Sequence, residues 1–321
     1  MHWHQAWRWL IQRRKTAPHN ADIWHLRHHA RTLVPCIQRQ VEKGTYRLSP
    51  MLMVQRSTPG RERDRAVMWS AADALVLKWV ALKLAPGLPV HPRCLHLEGG
   101  AHRAVRLVSE QLHSAEWQFV YRTDIKGYYQ HIQKAMAWRI WQEITDDDAC
   151  LNLLYQYLHY SVEDGGEIRT PDVGIPRGCA LSPLTGAVLL QHMDRCFGSQ
   201  QALFYVRYMD DFLLLTKTRW PLRRAIRDLN RYLQLDGFTR HPDKTQTGKL
   251  SRGFDWCGID FTSPYPPRIS DRSLTKHRER CQRLDEQLRA RGWSEQDIAA
   301  RVQAYRSRWE HWAAGMILSA R

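Results

Sequence analysis

Two adjacent aspartates, Asp210 and Asp211, interrupt an apolar stretch of the sequence, FYVRYMDDFLLL at 204–215. FYVRY and FLLL have the composition of strands, which predicts a β-hairpin with both carboxylates at or beside its turn. Aspartate is also a common turn residue, so a purely structural explanation stays open. However, the turn lacks the glycine that a two-residue connection prefers, and its strands are apolar enough to be interior. Two buried carboxylates repel each other unless a proton or a cation relieves them, and their hard oxygens favour Mg²⁺ or Mn²⁺.

A third carboxylate follows another apolar strand, in FVYRTDIKGYY. Asp124 ends that strand and precedes a helix start, where an aspartate is most often a helix N-cap. Its pairing with a two-aspartate hairpin favours a different role. Three carboxylates that hold two metal ions about 4 Å apart carry out phosphoryl transfer to a nucleotide 3′-hydroxyl. One ion lowers the pKa of the attacking hydroxyl, and the other stabilises the leaving pyrophosphate.

The elements that must position these carboxylates mix helices with scattered strands. Residues 1–50 have helical periodicity, 51–70 read as strand, charged turn and strand, and helices are predicted at about 71–85, 101–114, 126–145 and 148–160. A Gly- and Pro-rich loop and a helix precede the hairpin. A helix that Gly237 closes follows it, then two short strands at about 247–262 and two basic helices. This pattern predicts an α+β fold, not a doubly wound parallel sheet.

The charge balance predicts a polyanionic partner. The 321 residues contain 48 Lys and Arg against 32 Asp and Glu, a net charge of +16. Such an excess attracts nucleic acid or an anionic membrane surface. No run of about 18 apolar residues occurs, and the first residues lack the pattern of a secretion signal. We therefore expect a cytoplasmic protein that binds nucleic acid and no membrane.

Cysteine and histidine spacing gives no sign of a disulfide framework or a zinc site. The seven cysteines contain no CxxC pair and are odd in number. The sixteen histidines, among them His28 and His29, lack a second ligand cluster at useful spacing. We interpret the cysteines as reduced thiols and the histidines as surface residues.

Five motifs occur in the order of the palm motifs of reverse transcriptases: TDIKGYYQHI, GIPRGCALSPLTGA, RYMDDFLLL, HPDKTQTGKL and GFDWCGIDF. The chain resembles bacterial members of that family, of the group II intron, retron, diversity-generating and antiviral-defence types, over about 30–320 and most specifically over 120–261. The resemblance implies a right-hand polymerase. Its parts would be an N-terminal helical extension at 1–50, fingers at 51–118, a palm at 119–262 with the fingers–palm connection, and a helical thumb at 263–321.

The resemblance also implies the metal and nucleotide contacts. Asp124, Asp210 and Asp211, with the Ile125 carbonyl, would bind two Mg²⁺ ions, with Mn²⁺ as the alternative. Tyr129 would be the steric gate against the ribose 2′-hydroxyl, which favours dNTPs over ribonucleotides; a tyrosine packed in a helix is the alternative. The remaining predicted nucleotide contacts are Arg63 and Arg65 (beside Arg61), Arg177, Gly178 and Lys244.

Several of these nucleotide contacts have plain alternatives. Many relatives have Gln at the position of Arg177, so its role departs from the family pattern. Lys244 would lie near the triphosphate and protonate pyrophosphate, or it is a solvated turn lysine. Arg65 aligns best with a phosphate-binding arginine of the fingers, although PGRERDR is equally a charged turn exposed to water.

Primer and template contacts are implied in the palm and thumb. The helix pair after Pro267 is rich in Arg and Trp and would follow the nucleic-acid backbone. Trp256 belongs to the strand pair that grips the primer, with a core aromatic as the alternative. The predicted contacts are Ser182, Pro183, Tyr208, Met209, Trp256, Arg278 and Arg289.

The sequence therefore predicts an RNA-directed DNA polymerase that makes cDNA from dNTPs on an RNA template. The retron VTG and NAxxH signatures are absent, Ser182-Pro183 replaces the Ser-Gln of diversity-generating enzymes, and no room is left for further intron-type domains. By elimination we expect a stand-alone bacterial enzyme that acts with a dedicated, structured noncoding RNA in antiphage defence. A retron or group II intron-like mobile-element enzyme, a maturase-like RNA-binding factor, and non-templated or self-primed synthesis stay open, as do a partner protein and a homo-oligomer.

Overall fold

The structure, a computed structural model, describes residues 1–56, 64–114, 116–262 and 266–320; at 54–56, 64–66 and 114 it describes the backbone alone. The strands, in chain order, are β1 (Met51–Arg56), β2 (Asp64–Met68), β3 (Phe119–Asp124), β4 (Val162–Asp164), β5 (Glu167–Arg169), β6 (Leu203–Tyr208), β7 (Asp211–Thr216), β8 (Gln246–Lys249), β9 (Phe254–Trp256), β10 (Ile259–Phe261) and β11 (Arg268–Ile269). The helices are α1 (His2–Arg13), α2 (Asp22–His28), α3 (Ala30–Glu42), α4 (Ala71–Leu84), α5 (Gly100–Ser114), α6 (Tyr128–His131), α7 (Lys134–Ile144), α8 (Asp148–Leu158), α9 (Ser182–Leu189), α10 (Gln191–Gly198), α11 (Arg219–Leu235), α12 (Asp271–Ala290) and α13 (Glu295–Ala320).

Local sequence signals explain where several helices begin and end. The Ser70 hydroxyl accepts a hydrogen bond from the Asp73 N–H at the start of α4, and Asp147 accepts one from the Cys150 N–H at the start of α8. Both are N-caps that satisfy a backbone donor of the first turn. After α11, Gly237 has a φ of +76°, the left-handed conformation that ends helices and that glycine adopts most easily.

The chain divides into two compact units, and the first comprises Met1–Gln55, Arg65–Val90 and Gly127–His192. It contains α1–α4, α6–α9 and a sheet of strand order β2-β1-β4-β5. In this sheet β1 pairs in parallel with β4, and β4 pairs with β5 as a hairpin. The 8-residue stretch that forms this hairpin (162–169) was not predicted as strand from the sequence.

The second unit comprises Arg56–Asp64, His91–Lys126 and Met193–Arg321 and carries the three aspartates. Its main sheet has the order β6-β7-β3-β8, with antiparallel pairing throughout. Successive side chains of a strand point to opposite faces of the sheet. One face, which includes Val120, Leu213 and Leu215, packs in a core with Phe254 and Trp256 of the small sheet β9-β10-β11.

The mixed α+β composition that the sequence predicts is confirmed, with differences in detail. The predicted helix at 126–145 is two helices, α6 and α7, because Ile132 and Gln133 have extended backbone. The segment at 247–262 forms three strands where two were predicted, since β8 joins the main sheet and β9 and β10 form a separate hairpin. The fingers, palm and thumb boundaries stay predictions. All seven cysteines are free thiols. No helix in the described ranges is both long and apolar enough to cross a bilayer.

Candidate active site

The β6–β7 hairpin places Asp210 and Asp211 at one end of the main sheet of the second unit. Tyr208 pairs with Asp211, so Met209 and Asp210 form the two-residue turn and Asp211 begins β7. Met209 has a φ of +57°, a conformation in which a turn of this length normally has Gly or Asn. A methionine held there carries local backbone strain of the kind that clusters at functional sites.

A fully buried ion pair stabilises the conformation of this turn. Arg207, the next-to-last residue of the apolar strand β6, is 0% exposed, and its guanidinium pairs with the buried Asp194 at 2.5 Å. The same guanidinium donates to the Met209 carbonyl at 2.8 Å, and Tyr205 donates to Asp194 at 2.6 Å. The Met209 N–H donates to Nδ1 of His96 at 3.2 Å. Both backbone groups of the strained residue therefore have partners, which fixes the turn in one conformation.

Asp124 lies directly beside the hairpin turn. In the β3–β7 ladder Asp124 is the register partner of Asp211, and the Ile125 N–H donates to the Asp210 carbonyl at 3.2 Å. Asp124 is 6% exposed, and its carbonyl accepts from the His241 N–H at 2.7 Å. The structure thus brings Asp124 beside a pair of aspartates that begins 86 positions later in the sequence.

The electrostatics of the three carboxylates show that their negative charges are incompletely neutralised. Burial, and then the charges of Asp124 and Asp211, raises the pKa of Asp210 to about 6. Burial also raises the pKa of Asp211, which Arg122 lowers and Asp124 raises further. A cluster with these properties gains stability when a cation binds to it.

Two protein cations already contact the cluster. Lys244 Nζ donates to Asp124 Oδ2 at 2.8 Å, and Arg122 lies 3.4 Å from Asp211 Oδ1 while also pairing with Asp255. With Asp124 turned toward Lys244, no three His, Cys, Asp or Glu side chains in the described part of the chain converge on a common metal position. The donor set nevertheless fits a divalent ion, because carboxylate oxygens are hard ligands and the two protein cations relieve their mutual repulsion only in part.

A further lysine of α12 is within electrostatic reach of this cluster. Burial, and then the cations Arg272, Lys244 and Arg280, lowers the pKa of Lys276, which Asp211 raises. The sequence did not single out Lys276.

Five other predicted site residues lie in the first unit: Tyr129, Arg177, Gly178, Ser182 and Pro183. The Tyr129 carbonyl accepts from the Ile175 N–H at 2.8 Å, which ties α6 to the loop before α9. Its ring packs so closely on Gly186 that a Cβ there would lie 3.3 Å from Tyr129 Cε1. The ring of Tyr129 therefore lies against α9.

The loop that begins at Pro176 presents Arg177 and Gly178 to solvent. Gly178 has a φ of +80°, and a Cβ at this position would meet no atom within 4 Å. A glycine is thus needed for the backbone conformation, not for space. Ser182 is buried, donates to the Pro176 carbonyl at 2.6 Å and contacts the Tyr157 hydroxyl at 3.0 Å. Its hydroxyl shapes the loop, and its predicted contact with a template stays a prediction.

The remaining predicted primer and template contacts differ in their exposure and in their ion pairs. Trp256 is 0% exposed in the core of the second unit, so the alternative of a core aromatic holds and its ring offers no surface to a primer. Arg289 is shared between Asp285 and Glu295, which neutralise its charge, whereas Arg278 is exposed. Tyr208 and Met209 are half-buried in the hairpin.

The predicted phosphate contacts of the fingers are only partly described. Arg61 and Arg63 lie outside the described residues. The backbone of Arg65 belongs to β2, and its side chain is also outside the described part.

Sequence reasoning missed the charged residues that support the aspartates. Arg207, Asp194 and Arg122 are buried, and Asp255 is half-buried between two core aromatics. The available signal was a charged residue inside an otherwise apolar strand, FYVRY or FVYRTD, since a buried charge requires a partner.

Comparison with known proteins gives one family and one relative. A family model described as reverse transcriptase (RNA-dependent DNA polymerase) matches residues 29–261, well over half of the chain. Protein YkfC of Escherichia coli (strain K12) is 23% identical over 199 residues, which cover 50% of this chain and 52% of that protein. The chain thus spans about half the length of this curated relative.

Proposed function

This chain belongs to the reverse transcriptase (RNA-dependent DNA polymerase) family, and from that premise we propose that it makes cDNA from dNTPs on an RNA template by two-metal nucleotidyl transfer. Membership assigns it to the RNA-directed DNA polymerases, which are nucleotidyltransferases. The observation that carries the proposed mechanism is the register pairing of Asp124 with Asp211 beside the Asp210 turn.

The three aspartates and the Ile125 carbonyl would hold two divalent ions, with Mg²⁺ as the expected metal and Mn²⁺ as the alternative. Bound there, such ions lower the pKa of a primer 3′-hydroxyl and stabilise the leaving pyrophosphate. Lys244, which neutralises Asp124 in the structure at 2.8 Å, would release that carboxylate and turn to the triphosphate as a proton donor.

Tyr129 would select dNTPs over ribonucleotides. Because its ring is held against Gly186 of α9, it cannot retreat easily from a ribose 2′-hydroxyl. The exposed Arg177, the open backbone at Gly178, and the arginines Arg63 and Arg65 would contact the nucleotide phosphates. Arginine suits this role because its planar fork can pair with two phosphate oxygens.

The template and primer would contact the hairpin residues Tyr208 and Met209, the loop at Ser182 and Pro183, and exposed arginines such as Arg278 of α12. The net charge of +16 supports binding of a polyanion. For the biological setting we propose a dedicated, structured noncoding RNA and a role in antiphage defence. Sequencing the nucleic acid that co-purifies with the protein tests this: a discrete RNA with attached cDNA is expected, and a random RNA population would contradict it.

The catalytic proposal is tested by Mg²⁺-dependent dNTP incorporation on a primed RNA template. The Asp210→Asn variant is expected to lose incorporation by at least about a thousandfold, because it removes one ligand from a site that acts as a unit. Asp146→Asn is the matched control, since Asp146 is exposed and lies before α8 in the other unit. Incorporation at the wild-type rate in Asp210→Asn would refute the assignment of the metal site.

A further inference from the structure

The outer face of α11 carries a row of exposed arginines beside one exposed tryptophan. With about 100° per helical residue, these five positions fall within an arc of roughly 100° on the side opposite the buried Leu229. The indole of the tryptophan is 73% exposed, and the four arginines are exposed as well. We call this set the α11 stripe: Trp220, Arg223, Arg224, Arg227 and Arg231.

The charge of the α11 stripe is largely unneutralised. The sequence of α11 contains one acidic residue, Asp228, which pairs with Arg227 at 3.2 Å. Arg224 and Arg231 form no ion pair with any residue that the structure describes. Arginines spaced four residues apart, such as Arg227 and Arg231, repel each other, so the row weakens the isolated helix. Helix stability therefore does not explain this pattern.

The side of the main sheet that α11 covers is opposite to the face on which Asp211 lies. Tyr232 of α11 contacts the Phe197 ring, which contacts Tyr205 of β6. Tyr205 alternates along β6 with two residues of the core cluster that contains Leu213, so it points to the other face. Asp211 shares the face of Leu213, because the two are two residues apart on β7. A ligand on the α11 stripe would not occupy the carboxylate site.

We propose that the α11 stripe binds RNA with unpaired bases, at a site separate from the catalytic carboxylates. Its arginines span about 12 Å along the helix axis, a length that several backbone phosphates can match. Arg223 lies over the Trp220 ring at 5.3 Å, which leaves the indole presented beside a cation, the arrangement on which an unpaired base stacks. The broad apolar face of α11 is already buried in the protein, and its exposed large apolar side chains are Trp220 and Leu235, which is too little apolar surface for the helix to insert in a bilayer.

The first test measures binding of a short RNA hairpin with an unpaired loop, by fluorescence anisotropy over a series of salt concentrations, without primer, dNTP or divalent ion. In the stripe variant, three arginines of the α11 stripe are replaced by glutamine. This variant is expected to bind the RNA at least about tenfold more weakly than the wild type. Its slope of log K against log salt should be smaller in magnitude by about two, because three phosphate contacts are lost. A control variant removes the same charge from exposed arginines of α3 and α7 in the other unit. The stripe variant is Arg224→Gln/Arg227→Gln/Arg231→Gln, and the control is Arg31→Gln/Arg39→Gln/Arg139→Gln.

The second test separates stacking from charge. Trp220→Ala is expected to weaken binding of the loop RNA roughly 5- to 100-fold with no change in salt slope, and to leave binding of a fully double-stranded RNA unchanged. Equal losses in the stripe and control variants, or a stripe variant with wild-type affinity, would overturn the proposal. The proposal would also fail if the stripe variant lost binding to phosphatidylserine vesicles but kept its RNA affinity. That result would indicate that the α11 stripe binds membranes. Asp210→Asn should retain RNA affinity, so a failed polymerase assignment and a failed RNA site give different results.

Discussion

Replacing Asp210 by Asn should stabilise the metal-free protein, although it removes a residue that the proposed chemistry requires. Burial and the neighbouring charges of Asp124 and Asp211 raise the pKa of Asp210 from 3.8 to about 6. A rise of about two units, at about 1.4 kcal/mol per unit, amounts to about 3 kcal/mol. This is the free energy by which the charged carboxylate disfavours the folded state, and asparagine avoids it.

The pH dependence of this effect follows from the raised pKa. The folded state binds the Asp210 proton more tightly than the unfolded state does, so the contribution of this group to stability is largest below pH 3.8 and is lost as the pH rises to about 6. The difference in stability between Asp210→Asn and the wild type should therefore be smallest below pH 3.8 and reach its full size above pH 6. Asp146→Asn, measured at the same pH values, is the control for the loss of an exposed carboxylate outside the site.

Urea unfolding in the presence of a chelator, at several pH values, measures this difference. At pH 7.5 the variant is expected to be more stable by up to about 3 kcal/mol. Millimolar Mg²⁺ should then stabilise the wild type and leave the variant nearly unchanged, because a ligand stabilises the state that binds it. A variant less stable than the wild type at pH 7.5 without divalent ions would show that the three carboxylates do not repel each other as the structure indicates.

Substitutions at three other positions test the proposed nucleotide gate and the charged residues that contact or support the aspartates. Tyr129→Ala should raise the use of ribonucleotides relative to dNTPs by roughly 10- to 100-fold in single-nucleotide incorporation, whereas Tyr155→Ala, an exposed ring of the same unit, should not. Lys244→Ala should raise the pKa of Asp210 further, because Lys244 lowers it, so half-maximal Mg²⁺ binding should move to higher pH in a titration. Arg207→Met should cost about 3–5 kcal/mol of stability in urea unfolding, since it leaves Asp194 buried and unpaired. Adding Asp194→Leu should recover much of that loss, while dNTP incorporation stays low because the Met209 carbonyl still lacks its donor.

The sequence predicted those parts of the fold that local patterns determine. The hairpin at 203–216 has two apolar strands of β-forming residues, and α11 has a regular helical period with a closing glycine, so both were predicted with nearly correct limits. The hairpin β4–β5 was not predicted, because its strands have three residues each and mixed polarity. Its parallel pairing with β1 joins residues more than 100 positions apart, and no local pattern specifies such a pairing.

In the candidate site, too, local sequence patterns identify some residues, whereas the roles of others depend on contacts between distant parts of the chain. An aspartate pair in an apolar hairpin is anomalous within ten residues of sequence, and that anomaly was sufficient to single out Asp210 and Asp211. Arg207 is equally anomalous, a charge at 0% exposure between apolar neighbours, but its meaning depends on Asp194 on a different element. The sequence shows which residues are unusual. Only the fold shows that the buried pair Arg207–Asp194 fixes the backbone of the turn that carries Asp210 and Asp211. The conformation of the turn and the chemistry of the carboxylates are therefore separate properties, and the Arg207→Met/Asp194→Leu variant separates them because it restores stability without restoring the turn.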